Sequence, residues 1–140
     1  MKKVTLVLFL FSFSLIANAQ DLSKNNTIDE IITNLYAVIS GEKGEARDWD
    51  AFHNLYYPNA RLIPSGKNKE GKTGARFITP QEYVDSSGKW LVENGFHEIE
   101  ISREVQQFGT VAHVFSTYEA KKSKTDEKPF MRGINSIQLM

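Results

Sequence analysis

The chain reads as an α+β domain in which helices group on one face of a strongly bent antiparallel sheet. Three observations predict this. Residues 28–39 and 80–93 repeat apolar side chains at helical spacing behind clear start signals. From Phe96 onward the period of the apolar residues changes from 3.6 to 2. The helices precede the strands instead of alternating with them, which is the order of an α+β domain and not of a parallel sheet. At 140 residues, with 41% hydrophobic and 24% charged side chains, the composition is that of one soluble globular domain.

Residues 1–19 stand apart from that domain. Lys2 and Lys3 form a positive start, the run Val4 to Ile16 is apolar, and Ala17-Asn18-Ala19 is a small-residue cleavage site. The apolar run is shorter than the roughly 20 residues a spanning helix needs. A signal peptide over 1–19 is therefore expected, with the domain over 20–140 exported to the periplasm or secreted and not integral to a membrane after cleavage. The sequence has no cysteine, so neither a disulfide framework nor a lipid-acceptor thiol is available and the core alone stabilises the fold. Without Lys2 and Lys3 the chain carries 15 basic and 17 acidic residues, a balance that offers no field for nucleic acid or anionic membrane.

The elements follow in order. Thr27 and Glu30 form a T-x-x-E capping box, and Ile28, Ile31, Ile32, Leu35 and Ile39 lie on one face of a first helix that Gly41 stops. After a glycine-punctuated loop, Asp48 is the expected N-cap of a short second helix with Trp49, Phe52, Leu55 and Tyr56 on one face, ended by Pro58 and Asn59. Residues 60–63, ARLI, read as a brief strand, and the following stretch to Phe77 as a basic glycine-rich loop. Thr79, Pro80 and Glu82 combine an N-cap, a first-turn proline and a capping-box glutamate, starting a third helix that runs to about Glu93 with a break or kink expected at Gly88. HEIEISREV, TVAHVFSTYEA and MRGINSIQLM then read as three successive antiparallel strands, joined by a turn at QFGT and by the charged KKSKTDEKP.

Gly66, Gly71, Lys72 and Thr73 match the phosphate-binding pattern G-x-x-x-x-G-K-[ST] letter for letter. That pattern works only where the loop leaves a strand and opens a helix whose amides hold the phosphates. Here Gly74 follows directly and Pro80 interrupts any helix begun at Lys72, so the match is read as coincidence.

The segments IDEIITNLYAVISG, RDWDAFHNLYYPNARLIP, ITPQEYVD, VAHVFSTYEA and RGINSIQL together resemble the nuclear transport factor 2-like superfamily, in particular its SnoaL-like small exported bacterial members. The resemblance covers nearly all of residues 20–140. It implies a cone-shaped domain with a cavity between sheet and helices, and a superfamily that includes ketosteroid isomerases, polyketide cyclases and dehydratases beside members with no catalytic role. Fold alone does not choose among these. Such domains usually end in a further strand carrying tryptophan, whereas this sequence stops at Met140 within an apolar alternation. Either the last strand is missing or a partner covers that edge.

The candidate site residues follow from spacing. On a continuous helix His53 would neighbour Asp50 three residues before and Tyr57 four residues after, and a carboxylate beside imidazole with a phenol nearby is a usable acid–base set. The alternative is that Trp49, Phe52 and Tyr56 are core and that His53 and Asp50 sit at the helix's wet edge. His113 is the second candidate. Its facing depends on the register set by QFGT: with Phe108-Gly109 as a two-residue loop, Ala112, Val114, Ser116 and Tyr118 share a face with Ile99, Ile101 and Val105, and His113 lies with Glu104 on the other. Tyr36, Trp49, Tyr56, Trp90 and Asn135 are the candidate ligand-lining residues. No two histidines have a metal-ligand spacing, and no cofactor is expected. Two functions remain open: a cavity that binds a small, largely apolar molecule, with or without proton-transfer chemistry, and a non-catalytic module for assembly or partner binding. A homodimer through the exposed sheet face is expected in either case, from the apolar content of both faces of the strand 111–120 and from what the resemblance to the superfamily implies.

Overall fold

The computed structural model describes residues 27–140; the expected signal peptide lies outside the described residues. The chain forms a mixed α+β domain. Helices α1 (Ile28–Ile39) and α2 (Trp49–Asn54) come first, then a small hairpin of β1 (Ser65–Lys67) and β2 (Thr73–Ala75). Helix α3 (Pro80–Tyr83), a π-helical turn (Val84–Gly88) and α4 (Lys89–Asn94) follow, and β3 (His97–Phe108), β4 (Val111–Lys121) and β5 (Met131–Leu139) complete the chain. The last three strands form an open antiparallel sheet in the order β3-β4-β5. Among the described residues no helix is long and apolar enough to cross a membrane.

Both capping boxes form. Thr27 Oγ1 accepts from the Glu30 amide at 3.1 Å while Glu30 Oε2 accepts from the Thr27 amide at 3.1 Å, and Thr79 and Glu82 repeat the arrangement ahead of Pro80. These pairs satisfy amides that a helix start leaves without internal partners. The buried residues of α1 are Ile32, Asn34, Tyr36, Val38 and Ile39, so Tyr36 takes a deep position and Leu35 is half-buried. On the sheet, Ile32 and Tyr36 pack with Val114. A second cluster of Val38, Ile39, Phe52, Leu91, Phe96 and Ala120 joins α1, α2 and α4 to the start of the sheet.

One buried charge ties these parts together. The Arg47 guanidinium donates to the backbone oxygens of Ile39 (3.0 Å), Gly41 (2.7 Å), Leu91 (3.1 Å) and Glu45. It thereby satisfies carbonyls at the end of α1 and within α4, an end group that would otherwise be left bare. Next to it Gly41 and Phe96 exchange backbone bonds of 2.8 and 3.0 Å, which docks the end of α1 on the entry to β3.

Several sequence expectations are corrected. Residues 60–63 are not a strand: Asn59 turns the chain with a φ of 67°, Pro64 follows at once, and only Leu62 pairs, with Ile78. The basic loop instead contains the β1–β2 hairpin, with all six of its residues exposed. The expected kink in the third helix is the π-helical turn ending at Gly88, where a Cβ would stand 3.1 Å from the Trp49 ring. The turn between β3 and β4 is Gly109-Thr110, with Phe108 opposite Val111. That moves the register by two residues, so β4 keeps its predicted faces. The larger difference lies in β3, where the pairing shifts between Glu100 and Ser102. A bulge at Ile101 reverses the alternation below it, so that Glu98 and Glu100 join Val105, Val114, Ser116 and Tyr118 on the face beneath α1, and Ile99 passes to the opposite face.

Candidate functional site

The bulge places a run of polar side chains on the covered face of the sheet. Glu98 Oε1 accepts from Asn135 Nδ2 at 2.9 Å, and Asn135 Nδ2 also approaches Tyr36 Oη at 3.3 Å. Tyr36 Oη is 2.7 Å from Ser116 Oγ, and Ser116 Oγ donates to Glu100 Oε1. Arg103 completes the run, its Nε and Nη2 2.9 and 2.6 Å from the two Glu100 oxygens and its Nη1 on Asp29. Register explains the meeting: Asn135 is opposite Ser116 on β5, and Ser116 opposite Arg103 on β3.

Glu98 differs from its neighbours in charge balance. Glu100 is held below the usual carboxylate range, chiefly by its bonds from Arg103. Glu98 has no cationic partner among the described residues, and burial pushes its carboxyl up to about 7 against the pull of the Asn135 bond. Four tyrosines, Tyr36, Tyr56, Tyr83 and Tyr118, stand near the carboxyl. Phe52 stacks on Tyr83 at 5.4 Å between ring centres and meets Tyr56 edge-on at 5.0 Å. Gly133, opposite Tyr118, leaves room for its ring, since a Cβ there would lie 2.5 Å from Tyr118 Oη. Burial raises the phenols of Tyr36, Tyr56, Tyr83 and Tyr118, that of Tyr83 to about 12, and the charge of Glu98 adds to each.

The carboxyl is not sealed. Glu98 lines an open groove of about 470 Å³ between α1 and the first residues of β3, with Thr33, Tyr36, Ser40, Glu45, Glu100 and Lys124 among its walls. Glu98 Oε2 has no hydrogen-bond partner among the described residues. A group titrating near neutrality at the wall of a groove can take up or release a proton without the protein changing its fold.

The residues singled out from sequence divide into two groups. Tyr36 and Asn135 contact each other and face Glu98, and the Tyr56 phenol lies within reach of its charge. Trp49 packs edge-on to Phe52 at 5.8 Å and against Gly88, inside the helical layer. Trp90 lies at the partly exposed margin of the core, 6.4 Å from the buried Phe96 and 6.5 Å from the exposed Phe130. His53, Asp50 and Tyr57 are not assembled as a triad. Helix α2 ends at Asn54, so the helical spacing that would bring Tyr57 to His53 does not extend that far, and Tyr57 is 63% exposed. His53 Nδ1 is engaged with the Trp49 carbonyl oxygen, its Nε2 is buried without a partner among the described residues, and Asp50 is exposed. His113 lies on the uncovered face, 2.9 Å from Ser136 Oγ and edge-on to Phe115. No group of metal-ligating side chains is found among the described residues.

Glu98 was missed by sequence reasoning because HEIEISREV reads as regular alternation with its acids outward. The one signal available was Ser116, a hydroxyl in the middle of the most apolar strand. No protein-family model, curated protein or solved structure matches the chain.

Proposed function

We propose that the protein is an exported, SnoaL-like small-molecule-binding domain in which Glu98 is the general acid–base of a proton-transfer reaction of the isomerase, cyclase or dehydratase kind. The cone-shaped, strongly bent architecture of the nuclear transport factor 2-like superfamily belongs to the same proposal. The observation that carries it is Glu98 itself: a carboxyl with one oxygen held by Asn135, the other free, and titration near neutrality in a ligand-sized groove. With Glu100 paired to Arg103, the walls present Glu45 and Glu98 against Lys124, which favours a neutral or cationic ligand over an anion. In the reaction Glu98 takes a proton from a weakly acidic C–H or O–H of the bound molecule and returns it at another position.

The test is turnover of a panel of enolisable ketones and hydroxy-ketones. Glu98→Gln should lower the rate about 100-fold to 10,000-fold, with His53→Ala and His113→Ala close to wild type. Full activity in folded Glu98→Gln rejects this assignment, and loss of activity only in His53→Ala returns the site to α2.

One observation favours an assembly role beside it. The uncovered sheet face exposes Ile99, Phe115 and Ile134, which are 46%, 47% and 61% accessible, a patch suited to a second copy. We expect a homodimer through this face. Sedimentation should give a dimer for the wild type and a monomer for Phe115→Glu, and a concentration-independent wild-type monomer would count against it.

A further inference from the structure

The hydroxyl of Ser116 has one proton and two partners. The residue is fully buried, with Tyr36 Oη on one side and Glu100 Oε1 on the other. Glu100 is ionised and can only accept, because Arg103 donates to both of its oxygens. Ser116 therefore gives its proton to Glu100 and accepts from Tyr36. Tyr36 has then used its only proton, so its oxygen accepts from Asn135. The amide is obliged to present its NH2 end, and its second N–H goes to Glu98 Oε1. An inverted amide would set a carbonyl oxygen against the carboxylate, which is tolerable only when Glu98 is protonated.

We propose that the Arg103–Glu100 ion pair, relayed through Ser116 and Tyr36, fixes Asn135 as a donor toward Glu98 Oε1 and leaves Oε2 as the oxygen that exchanges protons with a ligand. Arg103, Glu100, Ser116, Tyr36 and Asn135 are then positioning residues. This rests on reading Glu98 as the acid–base. The chain has a single consistent direction, set by Arg103 at the end away from Glu98, and it opposes the burial that favours the neutral acid. The other groups facing Glu98 are the phenols of Tyr36, Tyr56, Tyr83 and Tyr118, with His97, Glu100, Glu45 and Lys124 along the groove. None of these phenols or groove groups replaces the Asn135 bond, the only one to the Glu98 carboxyl among the described residues.

The test is a carbon-detected NMR titration of the Glu98 carboxyl, assigned by its disappearance in Glu98→Gln and requiring no ligand. In Ser116→Ala the Tyr36 proton loses its acceptor and turns toward Asn135, which inverts. The Glu98 midpoint should rise by about one pH unit, the scale of one hydrogen bond to a charged group, although Ser116 does not touch Glu98. In the Tyr36→Phe background the same Ser116→Ala change should move the midpoint by less than about 0.3, because no phenol proton remains to be redirected. An unmoved midpoint in Ser116→Ala, or an equal shift in both backgrounds, overturns the proposal. Should Ser116→Ala not fold, Glu100→Leu removes the acceptor that sets the direction. The same rise is then expected, against the fall that losing a nearby negative charge would cause, and no rise overturns the proposal. The two readings fail separately: full turnover in Glu98→Gln rejects the acid–base role and leaves the titration result standing.

Discussion

Replacing Glu98 with glutamine should stabilise the protein at alkaline pH and not at acid pH. The carboxyl is shifted from the ordinary 4.5 to about 7 in the folded state, so over that range the folded protein holds a proton that the unfolded chain has lost. By linkage, stability then falls as pH rises. The contribution is fully present below about 4.5, declines toward 7, and is gone above it. At about 1.4 kcal/mol per pH unit, the shift corresponds to about 3.5 kcal/mol for a sealed group. Water in the groove screens part of this, and about 2 kcal/mol is the expected plateau. Glutamine keeps an oxygen for the Asn135 donor and never ionises, so it removes the penalty without emptying the site. Urea unfolding of both proteins at half-unit steps from pH 4 to pH 8.5 should give curves that coincide below pH 4.5 and separate progressively, with glutamine the more stable by about 2 kcal/mol at pH 8. A difference independent of pH, or one that grows toward acid, would refute the claim that the Glu98 charge is buried at a cost. Combined with lost turnover, the expected result would mark Glu98 as a residue kept for chemistry against stability.

Arg47→Ala should be among the most damaging single changes, because four backbone oxygens lose a buried donor at once. A loss of at least about 3 kcal/mol in chemical denaturation is expected, and a loss below 1 kcal/mol would show that water replaces the guanidinium. Gly95→Ala should cost about 1–3 kcal/mol, since Gly95 has a φ of 73° and its Cβ would run into the Lys122 carbonyl oxygen; near-neutral stability would mean that the β4–β5 connection yields. Lys72→Ala should alter stability by less than about 0.5 kcal/mol, because the hairpin that carries its loop is exposed and opens no helix. Magnesium-dependent ATP binding that this substitution abolishes would reinstate the phosphate-loop reading.

What could be read from the sequence, and what could not, divides at a single residue. Local chemistry placed the helix starts, since Thr27 with Glu30 and Thr79 with Glu82 satisfy specific amides wherever the helices finally pack. The alternation of apolar residues found three strands, and its parity in β4 survived a turn displaced by one residue, because that moves the pairing register by two. The same alternation failed in β3 because a bulge adds one residue to one strand with no local mark. On a regular strand His97, Ile99 and Ile101 share one face and Glu98 and Glu100 the other. Carried down from the Val105–Val114 pair without the bulge, that pattern places the isoleucines inward and the acids in water. The extra residue at Ile101 turns this over, exposing Ile99 at 46% and bringing both acids beneath α1. Side-chain contacts explain why that arrangement is tolerated: Arg103, three residues along the same strand, neutralises Glu100, and the tertiary contact with Asn135, 37 residues along the chain from Glu98, supplies the one donor to its carboxyl among the described residues. The helix-spaced set His53, Asp50 and Tyr57 had the opposite weakness. Its logic was wholly local, and it needed α2 to continue past Asn54, which the turn leading to Pro58 does not allow. A site assembled from β3, β4, β5 and α1 carries no sequence spacing at all. Its trace in the sequence is a hydroxyl where the apolar pattern calls for none, and Ser116, fully buried between Val114 and Tyr118, is that residue.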